Sequence, residues 1–388
     1  MNVSGTAGKD LTFSPFDISC MKRAFALARR GAGKTSPNPM VGALVVKDGR
    51  TAGEGWHRRY GHAHAEAGAI QAARAAGHSP AGADLYCTLE PCCFTSPEKH
   101  QPPCTSLIID SRIKRVFIAN LDPNPKVSGK GVAALEEAGI EVRAGLCAEA
   151  GEELNRAFFT FHRLGRPYVH LKMAQTLDGR VAAPDGSSRW ISCETARRMV
   201  HRLRSHYDAV LVGSGTALAD DPELTVRLVK GRNPRRIILD SRLAIPAQAN
   251  VFSLPDPEKT IIIHGSHADS GKAETLRRMG AQLIPIEPET HAPAGGLPLE
   301  HVLAALAKQG VQSILVEGGA GVFSSFLSRG LWDRLSLFIA PAILGGGVTA
   351  VSGLGIGSMS QAMRFGNGSF RAIGSQMLFE ADRVCSRE

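Results

Sequence analysis

The 388-residue sequence has no run of apolar residues long enough to cross a membrane, which takes about 18 or more in succession. Its first fifteen residues mix Ser, Gly, Lys and Asp, and they contain no apolar segment of the kind that a secretory signal needs. We therefore expect a cytoplasmic protein with no membrane partner.

Cysteine is scarce, with eight residues in the whole chain, and their spacing is uneven. This number is too small for a disulfide framework in a chain of this length. Four of the eight lie between Cys87 and Cys104. In a reducing compartment such a cluster is more often metal-binding or catalytic than cross-linking. Cys87 lies inside a predicted strand and is expected in the core, as are Cys20, Cys147 and Cys193.

The sequence also lacks a Lys/Arg tract interleaved with aromatic residues, so it predicts no nucleic-acid partner. Lys and Arg nevertheless exceed Asp and Glu by 45 to 36, and this excess favours anionic partners such as phosphates, dinucleotides or nucleic acid, although charge alone does not choose among them. The remaining composition, 43% hydrophobic and 21% charged, is that of an ordinary globular protein. The length predicts two or three domains.

The first part of the chain, from Phe16 to about Arg163, alternates between helical and strand periods, which is typical of an α/β fold. Asp48-Gly49 is a strong hairpin signal between the first two strands. The periodicity predicts helices over 21–30, 65–76, 105–111 and 131–138, an amphipathic segment over 148–163, and strands over 41–47, 50–56, 83–89, 114–119 and 140–144.

A cluster of helix breakers, Leu164-Gly165-Arg166-Pro167, predicts a boundary between domains 16–163 and 164–388. The second part restarts the alternation of strands and helices, without an internal repeat of the first, so we expect two different α/β folds. Its predicted strands cover 168–176, 209–212, 236–240, 260–264, 282–286, 313–317 and 335–340, and 285–298 reads as a surface loop.

The sharpest local signal is His64-Ala65-Glu66, followed by Pro91-Cys92 and later by Pro102-Pro103-Cys104. One imidazole and two thiolates give a tetrahedral Zn²⁺ three protein ligands and leave one position open, as catalytic sites require. Cys93 competes with Cys92 for the second position, but Cys92 directly follows Pro91 as the motif demands. The pattern resembles zinc-dependent nucleoside and nucleobase deaminases, in which the Glu of H-x-E is a proton carrier and not a ligand.

Glu66 lies two residues after His64, and side chains two apart on a regular helix do not share a face. Both can reach one centre only where the chain enters the helix, and Gly61-His62-Ala63 supplies such an entry. Cys104 follows two prolines at a predicted helix start, where a thiol is readily ionised.

Three further segments stand out after the boundary. The first is a strand that runs into the polar turn Leu177-Asp178-Gly179-Arg180, and the second is Ala219-Asp220-Asp221-Pro222. The third, Glu317-Gly318-Gly319-Ala320-Gly321, lies between a strand and a helix, where backbone amides can bind phosphate. It is a weak dinucleotide fingerprint because the third glycine is missing, and a purely structural glycine turn is an equal alternative.

Taken together, these segments resemble the family of bifunctional riboflavin-biosynthesis deaminase-reductases from about Phe16 onward. The resemblance also includes Pro37-Asn38-Pro39-Met40-Val41-Gly42 and Asp122-Pro123-Asn124-Pro125. It implies a cytidine-deaminase-like α/β/α domain followed by a dihydrofolate-reductase-like α/β domain. The implied substrate is 2,5-diamino-6-(5-phosphoribosylamino)pyrimidin-4(3H)-one, a small molecule that is deaminated and then reduced by NADPH on its ribosyl chain to the ribityl product.

Residue roles follow from the same resemblance. His64, Cys92 and Cys104 would hold one Zn²⁺ per chain, Glu66 would carry protons, and Asn38 would contact the pyrimidine. The cofactor contacts would fall on Ala174, Trp190, Thr216, Asp220, Ser241, Gly319, Ala320, Gly321, Val322, Phe323, Ser324 and Ser325. The substrate contacts of the reductase would be Ser188, Arg204, Leu224, Arg227 and Glu317. The guanidinium groups of the two arginines suit a phosphate. Hydride transfer mainly requires close positioning, so no strongly activated side chain is expected.

The chain departs from the family between its two cysteine ligands. Eleven residues separate Cys92 from Cys104, where the family usually has eight. The usual His, Gly and basic residue of that loop therefore have no assured counterpart, and Lys99 and His100 are candidates to replace them.

Two other functions fit parts of the sequence. One is a deaminase of nucleic-acid bases with an appended domain, which the second half argues against. The other is a non-catalytic RNA-binding protein with a structural zinc ion, in which Cys93 or His62 would supply the fourth ligand. The sequence does not fix the oligomeric state, and a homo-oligomer is possible.

Overall fold

The computed structural model describes residues 12–95, 102–289, 296–365 and 367–383. The chain divides into two compact units, one up to Arg163 and one from Leu164, so the division falls at the breaker cluster. In the described ranges, no helix combines the length and the apolarity that a membrane span requires.

The first unit contains a five-stranded sheet and helices on both of its faces. The strands are β1 (Gly42–Lys47), β2 (Arg50–Trp56), β3 (Asp84–Cys87), β4 (Arg115–Ile118) and β5 (Glu141–Ala144). The helices are α1 (Pro15–Ala28), α2 (Ala65–Ala75), α3 (Cys104–Asp110), α4 (Lys130–Glu137), α5 (Ala148–Leu154) and α6 (Arg156–Leu164). The sheet order is β2-β1-β3-β4-β5, with β1 antiparallel to both neighbours and β3, β4 and β5 parallel.

Alternation along the strands separates two apolar cores. Val45, Leu85 and Val116 face α2, α3 and α4, whereas Leu44 and Tyr86 face α1. Successive strand residues point to opposite faces, so each central strand contributes to both cores. The result is the three-layer α/β/α arrangement that the family resemblance implies, and the predicted fold class is confirmed for this unit.

Two glycines of β2 bring α2 unusually close to the sheet. A Cβ atom at Gly53 would lie 2.2 Å from the Ala69 carbonyl oxygen, and one at Gly55 would lie 2.2 Å from that of Ala65. Real side chains cannot approach backbone atoms so closely, so both positions require glycine. This contact fixes the first turn of α2, which carries Glu66, against the sheet.

Most predicted elements of the first unit are found within a few residues of their expected ends, with one correction. The first helix begins at Pro15 and not at Met21, because Ser14 and Asp17 form a capping box there. The amphipathic segment 148–163, for which the sequence analysis gave no helix bounds, forms two helices separated by Asn155. Asn155 is buried and binds both backbone groups of Met40 through its side-chain amide.

The second unit contains a nine-stranded, mainly parallel sheet in the order β11-β10-β9-β8-β12-β6-β13-β16-β15. Its strands are β6 (Tyr168–Thr176), β8 (Ala209–Gly213), β9 (Arg235–Leu239), β10 (Thr260–Gly265), β11 (Gln282–Ile286), β12 (Ser313–Gly318), β13 (Arg334–Ala340), β15 (Ser369–Ile373) and β16 (Gln376–Asp382). Two short strands, β7 (Arg180–Ala182) and β14 (Val348–Thr349), pair separately.

Helices cover both faces of this larger sheet, which confirms the predicted α/β class. They are α7 (Glu194–His206), α8 (Ser214–Asp220), α9 (Ser270–Arg278), α10 (Leu299–Lys308) and α11 (Ala320–Ser328). One core contains Leu211, Ile237 and Phe326, and the other contains Val210, Ile238 and Leu276. The sequence analysis missed the strands β7, β14, β15 and β16. Three of the four have mostly half-exposed or exposed residues, so their hydrophobic pattern is weak.

A buried carboxylate organises the loop that leads into α4. Glu90 is 3% exposed, and its carboxylate accepts hydrogen bonds from the backbone N–H groups of Asp122, Gly129, Gly131 and Val132, at 2.9 to 3.2 Å. Charged acceptors bind N–H groups more strongly than neutral ones do. Glu90 therefore ties the segment just before Cys92 to the 122–132 loop.

We expect Glu90→Gln to lower the free energy of unfolding of the first unit by about 2–4 kcal/mol, because an amide NH₂ group would face buried donors that have no other acceptor. Urea unfolding, followed by circular dichroism, measures this change. Glu136→Gln, at an exposed position of α4, is the matched control. Equal unfolding midpoints for the two variants would contradict the assignment.

Candidate active sites of the two units

The first residue of the metal motif lies immediately before a helix. His64 is the N-cap of α2, with extended backbone angles (φ −70°, ψ 163°), and Glu66 is the second residue of the helix. Because His64 is outside the helical repeat, its ring can turn toward the same centre as the Glu66 side chain. This is the geometry that the two-residue spacing requires.

Three potential ligands converge beside this helix start. His64 Nδ1 lies 3.5 Å from Cys92 Sγ and 3.3 Å from Cys104 Sγ, and the three atoms all lie within 4.8 Å of one another. In a tetrahedral zinc site, ordinary Zn–S and Zn–N bond lengths place a sulfur and a nitrogen ligand about 3.5 Å apart. The backbone N–H of Cys104 also donates to Cys92 Sγ, at 3.4 Å, which favours a thiolate there. The donor set and its spacing fit zinc.

Among the described residues, the group that could hold a metal consists of His64, Cys92 and Cys104, without Cys93 or His62. A structural zinc site usually has four protein ligands, whereas a catalytic site has three and leaves one position for water or substrate. The three-residue group is thus the catalytic pattern. It gives no support to the structural-zinc alternative, which needed Cys93 or His62 as a ligand.

Glu66 is outside the ligand group but close to it. Its side chain is buried, with 3% of the residue exposed. Burial raises the pKa of the carboxyl above its usual range, while the neighbouring His64 ring and the Cys104 thiol act in the opposite direction. A buried carboxyl with a raised pKa holds a proton more readily than an exposed one does, which suits a proton carrier.

The motif opens onto a cavity of about 330 Å³. His64, Glu66, Cys92 and Asn38 line it, and so do residues that the sequence analysis did not assign to the site: His57, Tyr60, Asp122, Asn124, Lys126 and Phe158. Desolvation raises the pKa of Asp122 to about 6. The proposed replacements Lys99 and His100 lie outside the described residues.

The amide of Asn38 is oriented by a buried histidine. His57 is 2% exposed, and its Nδ1 lies 3.2 Å from the Ala63 carbonyl oxygen, which requires a proton on Nδ1. In the neutral ring, Nε2 then accepts from the Asn38 side-chain NH₂, at 3.2 Å. Burial lowers the pKa of His57, so the neutral ring is favoured. The Asn38 carbonyl oxygen is thereby left for hydrogen-bond donors in the cavity. The sequence signal for His57 was a lone histidine after a strand, which is weak.

The second site lies where parallel strands of the larger sheet end. Arg204 of α7 donates two hydrogen bonds to the Glu317 carboxylate, at 2.6 and 2.9 Å, and a third to the Thr225 carbonyl oxygen, at 2.9 Å. The Arg204 and Glu317 side chains are only 12% and 7% exposed. Glu317 sits where the pairing of β12 with β8 shifts register, and such bulges re-aim side chains. Neither residue is an ordinary surface charge.

Lys172 adds a further cation that the sequence analysis did not assign. It follows Leu171, which pairs with Val316 across β6 and β12, so Lys172 lies next to Glu317. Burial lowers the pKa of Lys172, Glu317 opposes this shift, and Arg204 adds to it. The sequence analysis expected no strongly activated side chain in this half and did not consider Lys172, whose surroundings make it a candidate. The sequence signal that could have identified Lys172 is a lysine within a strand whose other residues are mostly apolar.

The glycine segment after β12 forms a close turn against α8. A Cβ atom at Gly318 would lie 2.9 Å from the Thr216 side chain, and Gly319 has a φ of +82° as the N-cap of α11. Both features favour glycine, and they leave the amides at the start of α11 available to an anion such as a pyrophosphate. The cradle fits a dinucleotide even without the third glycine.

The remaining predicted contacts are distributed around this edge. Thr216 and Asp220 follow β8, Ser241 follows β9, and Ala174 lies in β6, so these positions follow or lie within neighbouring strands of the sheet. Trp190 is 70% exposed. Its neighbour Arg189 links this loop to α8 by donating a hydrogen bond to the Asp220 carbonyl oxygen, at 3.0 Å. Ser188 lies in the same loop, where its carbonyl oxygen accepts from the Ile191 N–H. In the described part of the chain, no hydrogen bond joins Ser188 directly to Arg204 or Glu317.

Comparisons with known proteins agree with both halves. Residues 15–120 match the family described as the cytidine and deoxycytidylate deaminase zinc-binding region, and residues 167–379 match the RibD C-terminal domain. The riboflavin biosynthesis protein RibD of Aquifex aeolicus is 42% identical over 93% of this chain and 97% of its own length. That of Bacillus amyloliquefaciens is 46% identical over 87% of this chain and 89% of its own.

Solved structures show the same two-part fold. Acinetobacter baumannii RibD superposes with a TM-score of 0.85 at 34% identity, covering 95% of this chain and 99% of that one. A diaminohydroxyphosphoribosylaminopyrimidine deaminase/5-amino-6-(5-phosphoribosylamino)uracil reductase from Thermotoga maritima gives 0.82 at 38% identity, with the same coverage. These matches confirm the resemblance and the two-domain fold, and they do not favour a nucleic-acid base deaminase. The chain therefore belongs to the RibD family, and it is a bifunctional enzyme of riboflavin biosynthesis in which a zinc-binding deaminase precedes a reductase that uses NADPH.

Proposed function

We propose that domain 16–163 deaminates 2,5-diamino-6-(5-phosphoribosylamino)pyrimidin-4(3H)-one and that domain 164–388 reduces the product to 5-amino-6-(5-phosphoribitylamino)uracil. The observation that carries the first step is the convergence of three potential zinc ligands, His64, Cys92 and Cys104, beside the buried carboxyl group of Glu66, which is not one of them. The Thermotoga maritima neighbour, whose name states both reactions, supports the choice of substrate.

In the deaminase site, His64, Cys92 and Cys104 would hold one zinc ion per chain. Zinc bound there lowers the pKa of water to about 7 and so supplies hydroxide at neutral pH. Glu66 accepts a proton from the attacking water and passes protons to the ring nitrogen and to the departing ammonia. The Asn38 carbonyl oxygen, turned into the cavity by His57, accepts from an N–H group of the pyrimidine. These four roles are consistent with a cavity of about 330 Å³, which suits one base.

In the reductase site, NADPH supplies the hydride. We assign its pyrophosphate to the cradle from Gly319 to Ser325, and its other contacts to Ala174, Trp190, Thr216, Asp220 and Ser241. The substrate would be held by Ser188, Arg204, Leu224, Arg227 and Glu317. Opening the ribosyl ring adds a hydride to its anomeric carbon and a proton to the ring oxygen. We assign the role of giving that proton to Lys172, which lies beside Glu317.

As part of the same proposal, the protein acts on a small molecule and not on nucleic acid, is located in the cytoplasm and forms a homo-oligomer. A single-base cavity in the first domain and the scattered basic residues favour a small-molecule substrate over nucleic acid. Thiolate ligands and free cysteines are stable in the reducing cytoplasm. Exposed apolar side chains in the second unit, such as Ile343 and Met359, would be covered in a homo-oligomer.

The assignment of Glu66 predicts that Glu66→Gln keeps one zinc per chain but loses ammonia release by about 10³-fold, because the amide cannot carry a proton. Metal analysis and an ammonia assay with the diaminopyrimidine substrate measure the two quantities. Reduction of separately supplied deaminated substrate should be unchanged, since that site lies in the other unit. Normal ammonia release by the zinc-loaded variant would remove Glu66 from the mechanism.

The assignment of Lys172 predicts that Lys172→Met lowers kcat for NADPH oxidation by about 10²-fold, because the ring oxygen loses its proton donor. Deamination should continue at the normal rate. Lys308→Met, at an exposed position of α10, controls for the loss of a lysine. The proton-donor role would be refuted by a Lys172→Met enzyme that matches this control in reduction.

A further inference from the structure

The segment between α8 and β9 has no regular secondary structure, yet its conformation is closely specified. Leu224 is 2% exposed and has a φ of +55°, a backbone region that costs a residue with a branched side chain free energy. The segment continues to Arg227, whose guanidinium donates to the Glu223 carboxylate at 3.1 Å. Something other than a helix or strand must hold this backbone in place.

The backbone of three consecutive residues of the segment is held by side chains, two of which come from α7 and one from a later position of the same segment. The Thr225 carbonyl oxygen accepts from Arg204, at 2.9 Å. The Val226 N–H donates to the Asn233 side-chain oxygen, at 2.9 Å. The Arg227 N–H donates to His201 Nδ1, at 3.0 Å. Arg204 and His201 are both on α7, three residues apart and so on one face of the helix.

The third of these bonds defines the state of His201. Because Nδ1 accepts a hydrogen bond, it carries no proton, and the proton of the neutral ring is on Nε2. His201 is 6% exposed, and burial, together with Arg204 and Arg227, lowers its pKa to about 4. Glu317 opposes this shift and Lys172 adds to it. The ring is therefore neutral at ordinary pH and remains an acceptor.

We propose that His201 is a positioning residue for the reductase, which fixes the backbone of Arg227 so that its guanidinium meets the phosphate of the substrate. The inference rests on the proposed function, in which Arg227 contacts that substrate. His201 acts through the Arg227 N–H and touches none of the reacting atoms. His201 contributes to substrate binding and not to the chemical step. The phosphate is remote from the anomeric carbon, so the Arg227 guanidinium contacts the phosphate equally before and during hydride transfer.

The test compares His201→Leu with His201→Asn in the full-length, zinc-loaded enzyme. An asparagine Oδ1 can occupy the place of Nδ1 and accept the same hydrogen bond, whereas leucine cannot. For reduction of the deaminated substrate, His201→Leu should raise KM about tenfold with kcat within about twofold of the parent, since loss of uniform binding raises KM alone. His201→Asn should recover most of the KM. His206→Leu, an exposed position on the same helix, should change neither value.

Two further measurements separate the possible failures. With the substrate that lacks its phosphate, His201→Leu and the parent should have equal kcat/KM, because the positioned group has nothing to bind. Arg227→Gln should raise the KM for the phosphorylated substrate by at least as much as His201→Leu does. If Arg227→Gln leaves KM unchanged, the proposed role of Arg227 fails, and the inference fails with it.

If Arg227→Gln raises KM but His201→Leu does not, only the positioning role is wrong. A fall in kcat for His201→Leu that His201→Asn does not restore would also overturn it, since this result would indicate a general structural defect. The circular dichroism spectrum and thermal unfolding midpoint of each variant provide the check that the second unit is folded, since deamination reports on the first unit alone.

Discussion

The placement of one histidine just outside a helix is the constraint on which the deaminase half depends. His64 and Glu66 are two residues apart, so they can face one centre only if the helix starts between them, as α2 does. The helix start is held in place by Gly53 and Gly55, where the backbone of α2 lies against β2 with no room for a Cβ atom. Glu90, which ties the segment before Cys92 to the 122–132 loop, fixes the other side of the site. The zinc ligands are thus assembled by backbone packing more than by contacts among themselves.

In the reductase half, the main constraint is the pairing of buried charges. The proposed substrate carries a phosphate, so its site needs positive charge, but unpaired buried cations are costly. Arg204 is paired with Glu317 through two hydrogen bonds, and the same guanidinium holds the Thr225 carbonyl. Lys172 shares the neighbourhood of this pair. One buried carboxylate thereby keeps two cations in a partly buried site, and their combined charge remains positive for an anionic ligand.

Much of the fold could be predicted because its signals are local. The hairpin of β1 and β2 follows from Asp48-Gly49, the parallel strands β8, β9, β10 and β12 are short apolar runs, and the unit boundary falls at Leu164-Gly165-Arg166-Pro167. The exposed strands β14 and β15 have little hydrophobic pattern and could not be found in this way. Ser14 and Asp17, which form the capping box of α1, are visible in the sequence. The predicted start of this helix is nevertheless too late, because its first turn is mostly exposed and has little apolar pattern.

The sequence by itself indicated the chemistry: His64, Glu66, Cys92 and Cys104 are recognisable because their order and neighbours match those of a catalytic zinc site. Tertiary structure alone decided which further residues lie in each of the two candidate sites. His57, Lys172 and His201 are single polar residues whose neighbours in sequence say nothing about their partners. His57 meets Asn38, and His201 meets Arg227, across 19 and 26 residues of chain. Such contacts arise from packing between elements, and no local pattern records them.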